Sequence, residues 1–295
     1  MFSPRLKKLT TIILLAYGLA ACSRPSGPSA APTLEATSTP EAPTATPVPA
    51  AATVNGEIVP LAEYQAELAR YQFAQAALGK SVGEADAAQA VLDDMIAQTL
   101  LAQGARAAGL SVTEAGLQSR IDALAASLGG TDKLAAWQSA HGYDEVSFRA
   151  ALKRAAEAAS MRDKIIAEMP GTFEQVHVRQ ILLYNEANAQ DILAQLKAGG
   201  KFDDLAATVD PVTRGDLGWF PQGYLLDANL DAAAFVLQPG QFSDVIVTEV
   251  GFHIIYVIER GPRPLSPEAR LVFQSRAVAE WVNERRAQAS IVLSP

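Results

Sequence analysis

The sequence predicts an α+β protein in two folded parts, a mainly helical region followed by a smaller mixed region. Three observations carry that expectation. From Pro60 to Glu168 apolar residues recur at helical spacing, punctuated by Gly and Pro. Beyond Pro170 the period changes, with β-branched and aromatic runs at Gln175–Tyr184, Phe242–Val247 and Phe252–Ile258 separated by short helical stretches. Ahead of both lie a leader and a Pro-rich stretch that offer no apolar period, so the fold is expected to begin near residue 53.

The leader, residues 1–21, carries Arg5, Lys7 and Lys8 and then an apolar run from Leu9 to Ala21. This is the layout of an export signal, and the run is too short for a comfortable membrane span. It ends in Leu19-Ala20-Ala21-Cys22, which resembles the bacterial lipobox and implies a lipid on Cys22. Cys22 is the one cysteine in the chain and so has no disulfide partner. Residues 22–52 are rich in Pro, Thr, Ser and Ala, with acids only at Glu35 and Glu41, and are expected to form a disordered tether.

Residues 53–170 are expected to form the helical domain. Asn55-Gly56 turns a short hairpin over 53–59. Pro60 opens a helix to about Leu78. Val91, Leu92, Met95, Ile96, Leu100 and Leu101 mark a second helix over Ala85–Ala108. Thr113 is placed to N-cap a third, ending at Gly129-Gly130, and two more follow over Asp132–Ala140 and Asp144–Glu168. Residues 171–262 are expected to form the mixed domain. Its helices are Ala187–Ala198, stopped by Gly199-Gly200, then Phe202–Thr208, then Leu230–Leu237, stopped by Pro239-Gly240. In 263–295, Leu271–Ala287 reads as a helix and Ile291–Leu293 as a short strand.

The stretch from Val176 to Arg260 holds Val-His-Val-Arg-Gln-Ile-Leu-Leu (176–183), Arg-Gly-Asp-Leu-Gly-Trp-Phe (214–220) and Gly-Phe-His-Ile-Ile-Tyr-Val (251–257). In that order they resemble a parvulin-type (PpiC, rotamase) peptidyl-prolyl cis/trans isomerase domain. Upstream, Val-Asn-Gly-Glu-Ile-Val, Leu-Asp-Asp-Met-Ile-Ala-Gln-Thr-Leu-Leu (92–101), Gly-Leu-Ser-Val-Thr (109–113) and Tyr-Asp-Glu-Val-Ser-Phe-Arg (143–149) are similar to the N-terminal chaperone domain of SurA- and PrsA-type foldases. The resemblance implies a small antiparallel sheet in the mixed domain. It also implies that the C-terminal helix returns to the helical domain, with Ile291–Leu293 beside the 53–59 hairpin.

Rotation about a prolyl bond breaks no bond but faces a barrier of about 18–20 kcal/mol. Catalysis needs tighter binding of the twisted amide than of either planar form, and no metal or organic cofactor. The resemblance implies His253 as an active-site histidine, Asp210 as a carboxylate near the reacting carbonyl and Thr248 as a hydroxyl near the histidine. It places Leu217 and Phe220 on the apolar side, with the proline-ring positions falling on Leu225 or Leu226 and on Leu230. The departure is Gln180, which stands where parvulins usually carry a second histidine, and the loop Asp210–Arg214 is shorter than is common. His177 does not replace it, since residues three apart on a strand face opposite ways. Gln180 can both donate and accept hydrogen bonds but cannot titrate.

The formal charge is −8, and with the three leader cations set aside the rest is near −11. An acidic surface argues against nucleic acid and against electrostatic adhesion to anionic lipid. His141, His177 and His253 lack metal-ligand spacing, and no nucleophile–base motif is present. The expectation is a lipid-anchored foldase outside the cytoplasm, acting on unfolded or partly folded exported polypeptides with Xaa-Pro bonds. The alternative is a holdase chaperone whose parvulin-like domain binds but hardly catalyses. A solute-binding lipoprotein would need two parallel α/β lobes, which this pattern lacks.

Overall fold

A computed structural model describes residues 48–294. The leader, Cys22 and the tether up to residue 47 lie outside the described residues. Within them β1 (Ala50–Val54) and β2 (Glu57–Pro60) form an antiparallel hairpin. Asn55 and Gly56 both take positive φ, 53° and 84°, the two-residue turn that matches strand twist. Composition alone assigned Ala50–Ala52 to the tether, and the structure corrects this. Ala51 is 8% and Ala52 0% exposed, because small apolar side chains pack under a strand as readily as they populate a linker.

Five helices follow: α1 (Leu61–Ala77), α2 (Glu84–Ala107), α3 (Glu114–Leu128), α4 (Thr131–Ala140) and α5 (Glu145–Ala167). Their ends are written in the sequence. The Thr113 hydroxyl accepts from the Gly116 N–H, and Asp144 and Ser147 close a reciprocal capping box. Gly129 ends α3 in the left-handed conformation at φ 91°. Val91, Met95, Ile96 and Leu100 of α2 pack on Val54 and Val59 of the hairpin. Fully buried Glu157 of α5 accepts from Arg106 at 2.6 Å and from the Val112 N–H at 3.2 Å, so its charge is paired rather than orphaned.

The mixed region comprises β3 (Phe173–Leu183), α6 (Glu186–Lys197), α7 (Phe202–Val209), β4 (Asp216–Pro221), α8 (Ala228–Val236), β5 (Ile246–Val247) and β6 (Phe252–Arg263). Its sheet has the order β4-β3-β6-β5 with every neighbour antiparallel. Two cores lie on its two faces. Ile181 and Ile254 meet α6 and α7 through Leu193, Leu196, Phe202 and Ala206. Val176, Val178, Ile255 and Val257 meet Phe220 and, from α8, Leu230 and Ala234.

Several bounds differ from expectation, each for a local reason. β4 is a strand not anticipated from the sequence: Gly218 and the preceding Gly215 sit at φ 70° and 67°, and the Asp216 side chain accepts from the Gly218 N–H at 2.8 Å, turn features that interrupt a strand pattern. The run Phe242–Val247 is not one strand. Ser243 Oγ takes the Ile255 N–H at 3.0 Å, so Phe242 keeps only an isolated bridge to Tyr256 and β5 is confined to two residues. α8 opens at Ala228 on an Asp227 cap, two residues before its first large apolar side chain.

A last helix, α9 (Pro267–Gln288), starts earlier than its apolar period, with Ser266 as N-cap and Pro267 in its first turn. Val278, Trp281 and Val282 of α9 pack against Leu101, Ala105, Met161 and Ile165. At Gly104 a Cβ would stand 2.4 Å from the Trp281 ring, so only glycine admits that approach. β7 (Ile291–Leu293) pairs antiparallel with β1, giving the sheet order β2-β1-β7.

Candidate functional site

The pairing of β3 with β6 sets the site. Gln180 lies opposite Ile255 and Leu182 opposite His253, so Gln180 and His253 are diagonal neighbours on one face. That face also carries Val178 and Val257, which continue into the apolar cluster of Phe220, Leu230 and Ala234. His253 is 5% exposed. Its Nδ1 stands 3.0 Å from Gln180 Oε1 and its Nε2 2.9 Å from Thr248 Oγ1.

The partners fix the direction of these hydrogen bonds. Thr248 Oγ1 already accepts from the Val250 and Gly251 N–H groups, at 3.1 and 3.3 Å. Both its lone pairs are used, so its proton goes to His253 Nε2, which is nearer than the Gly251 carbonyl at 3.4 Å. Nε2 is then an acceptor, Nδ1 carries the ring proton, and Gln180 Oε1 receives it. Gln180 Nε2 is left with no hydrogen-bond partner among the described residues. Burial holds the His253 pKa below the ordinary 6.5, and the negative charge of Asp227 opposes that shift. The imidazole is therefore neutral at neutral pH.

Asp210 ends α7. Its carboxylate accepts from the Val212 and Thr213 N–H groups at 3.1 Å each, from the Gly215 N–H at 3.2 Å and from the Thr213 hydroxyl. The Thr213 hydroxyl and these backbone donors hold its pKa down to about 2. Its hydrogen-bond partners lie in its own loop rather than at His253. The link to the site is indirect: the Gly215 carbonyl accepts from the Gln180 N–H at 2.8 Å. Gly215 has φ +67°, and a Cβ there would fall 1.8 Å from the Gln180 carbonyl oxygen.

Leu217, Phe220, Leu225 and Leu230 join one apolar cluster beside the hydrogen-bonded residues. Leu226 does not, being fully exposed, so of the adjacent pair Leu225 is the one packed inward. His177 is engaged elsewhere, with Nε2 2.8 Å from Asp216 Oδ1 and its ring stacked on Trp219. Asp227 was not singled out from the sequence. It caps α8 by accepting from Asn229 and Leu230 N–H at 2.9 and 3.0 Å while its charge acts on His253. The signal that finds it is an Asp just ahead of a helical run, obscured where the helix is started from its first leucine.

Comparison with known proteins follows this division. Residues 41–152 match the family described as SurA-like N-terminal domain. Residues 184–259 match Rotamase, the PPIC-type PPIASE domain; that span includes Asp210, Thr248 and His253 and begins after Gln180. The foldase protein PrsA of Bacillus subtilis is 31% identical over 117 residues, 38% of this chain and 39% of PrsA. The chaperone SurA of Thiobacillus denitrificans is 32% identical over 143 residues, 41% of this chain and 33% of SurA. A probable parvulin-type peptidyl-prolyl cis-trans isomerase of Bordetella pertussis is 34% identical over 142 residues, 44% of this chain and 54% of that protein. The chain thus spans between 33% and 54% of the length of these curated relatives. It carries a SurA-like N-terminal domain followed by a PPIC-type rotamase domain.

Proposed function

We propose that this protein is a peptidyl-prolyl cis/trans isomerase that assists the folding of exported polypeptides, held to the outer face of the cell membrane by lipid on Cys22. The observation that carries the reading is the Thr248–His253–Gln180 hydrogen-bond chain at the edge of the Leu217, Phe220, Leu225 and Leu230 cluster. The cluster takes the proline ring. Both imidazole nitrogens are engaged internally, so His253 does not transfer a proton to substrate. Instead it fixes the orientation of the Gln180 amide, whose Nε2 is left to donate to the imide nitrogen of the prolyl bond. A donor placed there stabilises the twisted amide, in which the nitrogen regains lone-pair character, more than the planar one. Asp210 holds the loop whose Gly215 positions the Gln180 backbone. The partners are unfolded or partly folded chains with Xaa-Pro bonds, and no cofactor is needed.

One observation favours a second reading, a holdase that keeps the fold with little of the chemistry. Gln180 occupies a place that parvulins usually give to histidine, and the helical part holds an open cleft of about 940 Å³ between the hairpin, α1 and α5, with Ile58 and Val146 exposed along it. The two readings separate in the refolding of a protein whose slow phase is prolyl isomerisation. The isomerase accelerates that phase at substoichiometric concentration and loses the effect on His253→Ala. Suppressed aggregation with an unchanged slow phase would establish the holdase and overturn the enzyme.

A further inference from the structure

The loop between β4 and α8, residues 222–227, carries Leu225 into the apolar cluster and ends on Asp227, whose charge acts on His253. Its one glycine, Gly223, is held from both sides. The Gly223 N–H donates to Asp231 Oδ2 at 2.8 Å, and the same carboxylate accepts from the Leu225 N–H at 3.3 Å through Oδ1. Asp231 sits in the first turn of α8 and is 6% exposed. On the other side the Gly223 carbonyl accepts from Arg276 Nη2 at 2.8 Å. Arg276 belongs to α9, and its guanidinium lies over the Phe273 ring, 4.9 Å from the centroid. Phe273 in turn meets Phe173 edge-on at 5.3 Å, at the first residue of β3. At Gly223, with φ +81°, a Cβ would come within 2.7 Å of Arg276 Nη1, so the guanidinium is seated directly on the peptide.

We infer that Arg276 and Asp231 are positioning residues for prolyl-substrate binding, clamping the Gly223 peptide so that Leu225 is presented to the proline ring. The inference rests on the isomerase reading and extends it to a residue on α9, outside the catalytic domain. A clamp on a binding loop acts on substrate affinity, while Gln180 on β3, His253 on β6 and Thr248 just after β5 lie outside that loop and keep their geometry. Arg276 is the informative position. Its own side chain is exposed and is not among the residues packing α9 on α2 and α5, so Arg276→Ala leaves the packing of Val278 and Trp281 in place.

The test compares the full chain with Arg276→Ala, Arg276→Lys and Asp231→Ala. Protease-free isomerisation of a short Ala-Pro peptide is read alongside the Kd of the same peptide and the hydrogen exchange of the Gly223 and Leu225 amides. Arg276→Ala is expected to raise KM and Kd by about three- to tenfold, the range for a partly exposed charge-assisted hydrogen bond, with kcat little changed. Arg276→Lys, which keeps a donor but not the stacked fork, recovers part of the loss. Faster exchange at Gly223 and Leu225 accompanies the change in both Arg276→Ala and Asp231→Ala. Unchanged Kd and unchanged exchange in a folded Arg276→Ala protein would overturn the clamp. A wild-type chain that binds the peptide but does not accelerate its isomerisation would overturn the enzymatic reading alone, and Kd and exchange would still decide the clamp. Should Asp231→Ala unfold, the exposed Arg276→Ala pair of readouts decides the clamp by itself.

Discussion

His253 is held neutral by burial in a face it shares with Ile255 and Val257, and that fact has a pH consequence. The folded pKa lies below the ordinary 6.5, so as the pH falls the unfolded chain takes up the proton first. The stability tied to the neutral ring is complete above pH 6.5 and drains as the pH falls towards the folded value. Activity that needs the Nδ1–H tautomer should therefore show an acid limb below pH 6.5. Asp210 does not contribute to that limb, since its carboxylate stays ionised down to about pH 2. Asp227→Asn keeps a competent helix cap and removes the charge that raises the His253 pKa, so the limb should move to lower pH. A limb above 6.5, or a shift upwards in Asp227→Asn, would contradict the electrostatic account. Thr248 tests the tautomer: Thr248→Ser should retain activity, whereas Thr248→Val should lose about tenfold or more in kcat/KM, the cost of one hydrogen bond to a buried ring nitrogen. Equal activity in the two variants would remove Thr248 from the site. The family resemblance singled out Gln180, His253 and Thr248, and the structure joins these three side chains in one hydrogen-bond chain. It did not show that Asp210 spends its acceptors on its own loop, because the direction of a side chain leaving a helix end depends on the turn that follows.

At the scale of elements, the hairpin at Asn55-Gly56 and the capped helices α3 and α5 were readable because a few residues decide them locally. β4 was not. Its Asp216 and Gly218 are turn residues by composition, and only pairing with β3 makes them a strand. Yet β4 positions Phe220, which is 1% exposed at the centre of the apolar cluster it shares with Leu230 and Ala234. Phe220→Ala should destabilise the protein by about 3–5 kcal/mol in denaturant melts, through lost burial and the cavity left behind. A loss under about 1 kcal/mol would mean that the cluster is less closely packed than the structure has it. The Gly215 approach to Gln180 is equally strict. Gly215→Ala must displace one backbone from the other and should depress activity beyond what its effect on stability explains.

For the whole molecule, α9 ties the C-terminal segment to α2 and α5 and, through Arg276, to the loop between β4 and α8. The closeness of that docking is set at Gly104. Gly104→Ala adds a methyl where Trp281 already stands and should destabilise by about 1–2 kcal/mol. In a Trp281→Ala background the same change should stabilise by roughly 1 kcal/mol, the ordinary helix preference for alanine. Additive effects in that double-mutant cycle would contradict the packing of α9 on α2. At this scale the sequence was least explicit, since a long-range approach of one glycine to one tryptophan leaves no local signature.

In the proposed function a neutral His253, joined to Gln180 and Thr248, serves prolyl isomerisation with glutamine in place of a second histidine. The most direct test is the cis/trans exchange rate of a short Xaa-Pro peptide, measured by NMR without a coupling protease, in the presence of the full chain. Acceleration that His253→Ala abolishes, and that Gln180→His leaves equal or raises, is the predicted result. No acceleration by the folded wild-type chain, or collapse of activity in a folded Gln180→His protein, would contradict it.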